Sequence, residues 1–142
     1  MKRIFALGLV IALLAVVVAP QVEAVSWRTY KDPKGRFSMK YPADWDFSEI
    51  EVDLGELGTS ITVVFEGPDD STCAAIITKN LVPFMKGKWL DETDREGDET
   101  VRLINFSGKK YAGIFTFTAP SNNFDSANKN YFGPRIRSIK VN

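Results

Sequence analysis

The chain has 142 residues, of which 18 are basic and 18 are acidic, and it contains one cysteine and no histidine. This balanced charge lacks the basic excess that nucleic-acid-binding proteins carry. Without histidine, and with a single cysteine, the chain has neither a Ser-His-Asp nor a Cys-His nucleophile, and it cannot build a zinc site from several nitrogen or sulfur ligands. We therefore expect no catalytic residue, no metal site and no cofactor.

Residues 1–24 have the pattern of a secretory signal peptide. A basic pair precedes an unbroken apolar run over residues 4–18, and Val-Glu-Ala at 22–24 fits a small-x-small cleavage site. The run is shorter than the ~20 apolar residues of a spanning helix, and an uncleaved membrane anchor is the alternative. In both cases the sequence predicts that residues 25–142 form one domain outside the cytoplasm, either secreted, periplasmic or at a membrane surface.

The first predicted elements form a β-hairpin. Residues 26–30 have aromatic ends, residues 37–41 alternate as a half-buried strand does, and Asp-Pro-Lys-Gly at 32–35 is typical of a tight turn. Pro42 lacks the N–H that would continue the ladder, so the chain leaves the sheet there. We expect Trp45 to fold back over the end of the core and to bury its large ring.

The middle of the chain predicts three more strands and a helix. Residues 47–55 indicate an irregular or edge strand with one solvated face, residues 59–67 are β-branched, and residues 72–79 are apolar enough for a central strand. Cys73 is expected to be a small buried hydrophobe rather than a nucleophile. Residues 80–96 predict a helix, because apolar side chains recur there at helical spacing.

The C-terminal third predicts a second hairpin, a helix and a closing strand. The hairpin spans residues 99–106 and 111–119. A helix is expected after Pro120, and Gly133-Pro134 should stop it. Residues 135–141 are interpreted as a last helical turn followed by a closing strand. Six or seven short strands with short connections and one or two helices predict an α+β fold, in which helices flank an antiparallel sheet.

Two groups of carboxylates are candidates for chemistry. Asp44 and Asp46 flank Trp45 and are conceivable as a glycosidase-like pair, although carboxylates so placed in a turn are more often solvated. The run at 91–99 contains six carboxylates, the ligand type that calcium takes, but its spacing does not match a calcium-binding loop. The favoured interpretation of this run is a polar helix end and a solvated loop, and calcium binding is left open.

Other side chains are candidates for binding a partner. Basic residues near the C-terminus suit an acidic partner or anionic lipid headgroups, with ordinary surface charge as the alternative, and they are Lys109, Lys110, Arg135, Arg137 and Lys140. Trp89 and Phe124 are candidate anchors if the sheet has an open face. The predicted partner-binding set is Trp89, Asp91, Glu92, Asp94, Lys109 and Lys110.

The segment WRTYKDPKGRFSMKYPADWDF resembles the opening of PsbP-like proteins, the relatives of the photosystem II extrinsic protein PsbP. The matching positions are Tyr30, Asp32, Gly35, Phe37, Ser38, Tyr41, Pro42 and Trp45. Five of them form the structural motif, namely Tyr30, Phe37, Tyr41, Pro42 and Trp45. The end of the chain, YAGIFTFTAP and then RIRSIKV, is similar to the last strand, helix and close of the family. This resemblance implies an antiparallel sheet flanked by helices, here in a compact variant that lacks one or two of the usual strands.

The resemblance also implies docking and assembly of protein complexes rather than turnover. The histidine roles of the photosynthetic members, including metal contacts, do not transfer to a chain without histidine. We therefore expect a monomeric, non-enzymatic module that binds a protein complex at a membrane or cell surface, with peripheral membrane contact possible and no nucleic acid. The alternatives are a binder of a small ligand or lipid surface with a pocket between sheet and helix, and a carboxylate-based hydrolase.

Overall fold

A computed structural model describes residues 25–82 and 84–142, so the predicted signal peptide or anchor at 1–24 lies outside the described residues. The strands are β1 (Trp27–Lys31), β2 (Phe37–Pro42), β3 (Asp46–Asp53), β4 (Thr59–Glu66), β5 (Thr72–Lys79), β6 (Gly87–Glu96), β7 (Glu99–Ser107), β8 (Tyr111–Pro120) and β9 (Lys140–Val141). A 3₁₀ turn (Gly55–Leu57) joins β3 to β4. Helix α1 (Phe124–Ala127), a π-helical turn (Asn128–Phe132) and helix α2 (Gly133–Ser138) follow β8. No helix of the described residues is long and apolar enough to cross a bilayer.

The strands form two antiparallel sheets. The smaller sheet has the order β1-β2-β9 and the larger has the order β3-β4-β5-β8-β7-β6. The predicted antiparallel α+β fold is confirmed, but the strands are divided between two sheets. The two ends of the described chain meet in the smaller sheet, where Phe37 pairs with Val141. The backbone oxygen of Asn142 then accepts hydrogen bonds from the N–H groups of Lys110 and Tyr111, at 3.1 and 2.7 Å, and so links the two sheets.

The core lies on one face of the six-stranded sheet. Alternate residues of β4, β5 and β8 point to this inner face, and the fully buried ones include Val63, Phe65, Ile77, Phe115 and Phe117. The smaller sheet covers them with Phe37 and Met39, and the helical segment adds Phe132 and Ile136. Such a two-layer arrangement buries one face of each element around a single core.

Trp45 is buried beside the corner where β2 ends. Its backbone N–H donates to the carbonyl of Pro42 at 3.0 Å, which turns the chain back toward the core. The indole lies against Gly67, where a Cβ would come within 2.2 Å of the ring. A glycine at 67 is therefore required for this close packing. The Trp45 ring covers the end of the core, as the sequence predicts.

The predicted helix at 80–96 is wrong. Residues 80–82 and 84–86 lie outside helices and strands, and β6 pairs with β7 along a hairpin whose last pair is Glu96 and Glu99. Gly97, with a φ of 63°, makes the tight turn between them. Pairing with β7 outweighs the helical spacing of a few apolar residues. Strand β6 therefore precedes the β7–β8 hairpin, in a part of the chain where the sequence predicts no strand.

The predicted stop of the helix at Gly133-Pro134 is also wrong, although the predicted last helical turn and closing strand follow it. The N–H of Gly133 donates to the carbonyl of Asn128, five residues earlier, and Pro134 occupies the first turn of α2. Proline is common in the first turn of a helix, and here the π-helical turn directly precedes it. The helical segment therefore continues to Ser138, and Phe124, a candidate exposed anchor, is buried in it.

Strand β3 is an edge strand, as the sequence predicts, but its polar side faces the protein. Glu49 accepts a hydrogen bond from the hydroxyl of Tyr30, and Glu51 accepts one from Lys34. Burial, together with the Glu49 carboxylate, raises the pKa of Tyr30. These contacts with the β1–β2 hairpin hold the glutamates inward, so Ile50 and Val52 point to solvent.

Candidate docking face and charged surfaces

The outer face of the six-stranded sheet carries apolar side chains that nothing in the described residues covers. Residues paired across an antiparallel ladder share a face, and neighbours along a strand alternate between faces. One outer row crosses the sheet through Ile50, Thr62, Ile76, Ile114, Asn105 and Leu90. Ile50 is 66% exposed, Ile76 41% and Ile114 45%. We call the outward positions of β3 to β8 the outer face.

The next row extends this apolar area across the sheet. It runs through Ser48, Val64, Ala74, Thr116, Leu103 and Glu92. The β-bulge between Lys88 and Leu90 places Trp89 beside these rows, where its Nε1 donates to Ser107 Oγ at 3.0 Å. A half-exposed indole held by one hydrogen bond is a rigid, amphipathic contact group of the kind enriched at protein interfaces.

Charge on the outer face has one sign. The charged residues at its outward strand positions are Asp46, Glu66, Glu92, Asp94, Glu96 and Glu99. They lie along edge strand β6 and at the sheet end where β3 begins and β4 ends. Lysine and arginine occupy none of the outward strand positions within the described sheet. The outer face is therefore an apolar centre with an acidic rim.

The predicted partner-binding residues do not form one cluster. Trp89, Glu92 and Asp94 lie on the outer face, whereas Lys109 and Lys110 lie exposed in the β7–β8 turn at the opposite end of the strands from Glu99. The sequence missed Ile50, Ile76 and Ile114. The available signal was the continuous apolar character of residues 72–79, which indicates two apolar faces, whereas the elements in the described part of the chain cover only one.

Asp91 points away from the outer face into an ion-pair network. Arg102 donates to both of its carboxylate oxygens, at 2.8 and 2.7 Å, and Lys88 lies 3.0 Å from one of them. These hydrogen bonds, led by that of Arg102, lower the pKa of Asp91 to about 2. Arg102 also donates to Asn128 Oδ1 at 2.9 Å. Arg102 therefore connects the sheet to the helical segment, and the Asp91 carboxylate is engaged by Arg102 and Lys88.

The remaining carboxylate candidates are dispersed. Asp44 is exposed, and the acidic run at 91–99 forms a strand and turn whose side chains alternate between the two faces of the sheet. The expected helix end at this run is therefore wrong. Across residues 25–82 and 84–142, no group of three or more cysteines or carboxylates is placed to hold a metal ion.

An open cavity of about 480 Å³ lies between the smaller sheet and α2. Lys40, Lys140 and Arg137 line it together with the indole of Trp27, and its lining contains no carboxylate. Ser138 fastens α2 to β2 at this cavity, because its Oγ accepts the N–H of Lys40 at 2.9 Å. The cavity lies between sheet and helix, with a basic lining that suits a small anion.

Arg135 is not a surface residue, contrary to the sequence prediction. It is fully buried, with its guanidinium carbon 4.9 Å from the ring centre of Trp45 and 4.5 Å from that of Phe65. None of its side-chain nitrogens has a hydrogen-bond partner among the described residues. Burial lowers the pKa of Arg135 and raises that of the buried thiol of Cys73 to about 11. Both residues belong to the core.

Two solved structures share this architecture. The solution structure of cyanobacterial PsbP (CyanoP) from Synechocystis sp. PCC 6803 superposes with a TM-score of 0.51 at 13% identity, covering 87% of this chain and 97% of that one. A crystal structure of a protein from Bacteroides thetaiotaomicron VPI-5482 superposes with a TM-score of 0.52 at 18% identity, covering 85% of this chain and 49% of that one. This chain thus spans about half the length of the Bacteroides protein.

No protein-family model matches the sequence, and no curated protein matches it significantly. The structural similarities establish a PsbP-like fold. The resemblance predicted from the opening and closing segments is therefore confirmed at the level of fold, which by itself fixes no function.

Proposed function

We propose that the chain is an exported, non-enzymatic docking module, whose outer face binds a protein of a membrane or cell-surface complex. Residues 1–24 act as its export signal or anchor, and residues 25–142 form the docking domain. The PsbP-like fold supports this function, because the family resemblance implies docking and assembly. The single observation that carries the proposal is the exposed apolar centre of the outer face.

The exposed isoleucines argue for a covered state. Single exposed apolar side chains are normal on a protein surface, but a contiguous apolar area with a polar rim marks an interaction site. Ile50, Ile76 and Ile114 lie in one row, and Val64 and Leu103 extend it. A broad, pleated face of this kind fits the flat apolar surface of another folded protein.

The acidic rim specifies the chemistry of the partner. Carboxylates along β6 and at one end of the sheet attract a surface with an apolar centre and a basic rim. A second copy of this chain is disfavoured, because two outer faces placed together would bring acidic rims of the same sign into contact. Anionic lipid is disfavoured at this face for the same reason.

The test compares the full chain with two charged variants in its own cells. In Ile76→Lys/Ile114→Lys, two cations replace the apolar centre. Leu54→Lys/Leu57→Lys is the matched control, since these leucines are 41% and 49% exposed but lie at the β3–β4 connection rather than in the central rows. Detergent-solubilised membranes are separated by size, and the module is detected in each fraction.

We expect the wild type and the control to migrate in a complex larger than the module, and the Ile76→Lys/Ile114→Lys protein to migrate alone. High salt should weaken the complex, because the acidic rim contributes to its affinity. Retention of the Ile76→Lys/Ile114→Lys protein in the complex would rule out the outer face as the docking site.

The basic cavity favours a second candidate function, which is the binding of a small anion. Lys40, Lys140 and Arg137 converge on it without a competing carboxylate. Binding of an anion to the native state should raise the unfolding temperature in proportion to the logarithm of ligand concentration. Inorganic phosphate and citrate are suitable probes, and Lys40→Gln/Arg137→Gln should abolish the rise. An equal rise in the variant would show that the effect comes from general ion exclusion.

A further inference from the structure

The loop that joins β5 to β6 leaves large apolar side chains in solvent. Phe84 is 80% exposed and Leu81 is 65% exposed, and Val82 is exposed beside them. Three such residues within four positions form a continuous apolar projection rather than scattered surface contacts. We call Leu81, Val82 and Phe84 the apolar tip.

Hydrogen bonds fix the base of this loop against the neighbouring turn. The N–H of Asn80 donates to the carbonyl of Lys110 at 2.9 Å, and its side-chain amide donates to the carbonyl of Gly108 at 2.8 Å. Its Oδ1 accepts the N–H of Val82 at 2.9 Å. The start of the loop, from Asn80 to Val82, is therefore fixed next to the β7–β8 turn.

The apolar tip is surrounded by lysines. We call Lys79, Lys86, Lys109 and Lys110 the lysine collar; they flank the loop in sequence or lie in the turn to which Asn80 bonds. Among the described residues, none of the four forms an ion pair, whereas nearby Lys88 pairs with Asp91. Residues 79–90 contain no acidic side chain.

Acidic groups are kept away from this end of the sheet. The β3–β4 connection holds Glu56, next to Asp53, two strand spacings or roughly 10 Å from β5, and Glu51 and Asp32 are paired with Lys34 and Arg36. The acidic rim at Asp46, Glu66 and Glu99 lies at the other end of strands about 25 Å long. Both separations exceed the Debye length of about 8 Å at physiological ionic strength, and no described carboxylate forms an ion pair with the lysine collar.

We propose that the apolar tip inserts into a lipid surface that contains anionic headgroups, with the lysine collar on the phosphates. Apolar side chains bind at the boundary between headgroups and acyl chains, and lysines beside them are attracted by anionic lipid. A projection of three side chains is too small for a stable protein interface, which favours lipid as its occupant. The inference deepens the proposed function by naming how a module at a membrane complex contacts the bilayer, and it uses no residue of the outer face.

Depth measurement on the full chain tests this directly. Phe84→Cys carries a nitroxide label on the apolar tip, and Asp98→Cys carries the same label at the acidic end of the sheet. Both positions are exposed, so the substitutions leave the core intact, and the native Cys73 is buried and protected from labelling. Each protein is bound to vesicles of phosphatidylcholine with or without phosphatidylglycerol. The residue 1–24 segment is common to all samples.

With phosphatidylglycerol present, we expect the label at 84 to lose its accessibility to a water-soluble nickel reagent several-fold and to gain contact with oxygen, while the label at 98 stays in water. High salt, phosphatidylcholine alone, and Lys109→Glu/Lys110→Glu should each return the label at 84 to water. A label at 84 that remains in water on phosphatidylglycerol vesicles would overturn the inference. Since the vesicles contain no partner protein, this result is independent of whether the outer face docks a protein.

Discussion

The two faces of the six-stranded sheet have similar apolar patterns and opposite surroundings. Ile77 points inward and is fully buried, whereas its neighbour Ile76 points outward and stays in solvent. The smaller sheet and the helical segment cover the inner face, and the described chain contains no further element for the outer face. Alternation in the sequence therefore indicates which residues share a face of the sheet, whereas the other elements of the fold determine which face is buried.

The outer face also contains threonine hydroxyl groups among its apolar side chains. Thr62, Thr116 and Thr118 lie on this face, while the buried inner residues of β4, β5 and β8 include no hydroxyl side chain. Such mixing keeps an uncovered sheet soluble and still leaves apolar area for a partner. The two faces thus predict different responses to the same substitution.

The largest contrast is expected between two tryptophans. Trp45→Ala should lower the free energy of unfolding by about 3–5 kcal/mol, because Trp45 is 3% exposed and its removal leaves a cavity beside Arg135. Trp89→Ala, at a side chain that is 44% exposed, should lower it by less than about 1 kcal/mol. Urea denaturation measures both values. Equal losses would contradict the assignment of Trp45 to the inner side and Trp89 to the outer side.

Neighbouring isoleucines sharpen the same comparison. Ile77→Ala should cost about 2–4 kcal/mol, since the deleted atoms pack in the fully buried core. Ile76→Ala should change stability by less than about 1 kcal/mol, because its side chain already contacts water. Chemical denaturation of the isolated protein gives both numbers. A destabilisation by Ile76→Ala as large as that by Ile77→Ala would mean that the outer face is covered within the chain itself.

Arg135 is a charged residue buried in the otherwise apolar core. Arg135→Met should raise the free energy of unfolding by about 1–2 kcal/mol, because removal of an unpaired buried cation outweighs its contacts with two aromatic rings. Arg137→Met, two residues away and exposed, is the control and should change stability by less than about 0.5 kcal/mol. A marked loss of stability in Arg135→Met would instead indicate a partner for the guanidinium, such as bound water or an anion.

The smallest effect concerns pH. The pKa of Asp91 is lowered to about 2 in the folded protein, below its unfolded value, so its contribution is complete above about pH 5 and is lost as the pH falls toward 2. Because the ion pair lies at the surface, where solvent screens it, the contribution should be about 1 kcal/mol or less. The difference in unfolding free energy between wild type and Asp91→Asn, followed from pH 5 to pH 2, should shrink over this window. A difference that is constant with pH would exclude the Arg102 pairing.

Local rules predicted the hairpin, the corner and the final strands. Asp32, Gly35 and Pro42 act within a few residues of themselves, so their turn and strand end are legible in the sequence. The orientation of β3 could not be predicted from the sequence, because Tyr30 and Lys34 approach this strand only in the folded structure. Strand β6 was missed since its identity depends on pairing with β7. The sequence also predicts Trp89, Glu92 and Asp94 as surface candidates, but it does not show that Ile76 and Ile114 are exposed, because their exposure depends on which face of the sheet the other elements cover.

A photo-crosslinking residue at position 114, compared with one at position 57, tests the docking face most directly. Both positions are similarly exposed on the isolated protein, so illumination in the native cells distinguishes a covered surface from an open one. The account predicts a single protein adduct from position 114, lost in high salt, and none from position 57. Only lipid adducts or none at position 114, or the same adducts from both positions, would contradict it.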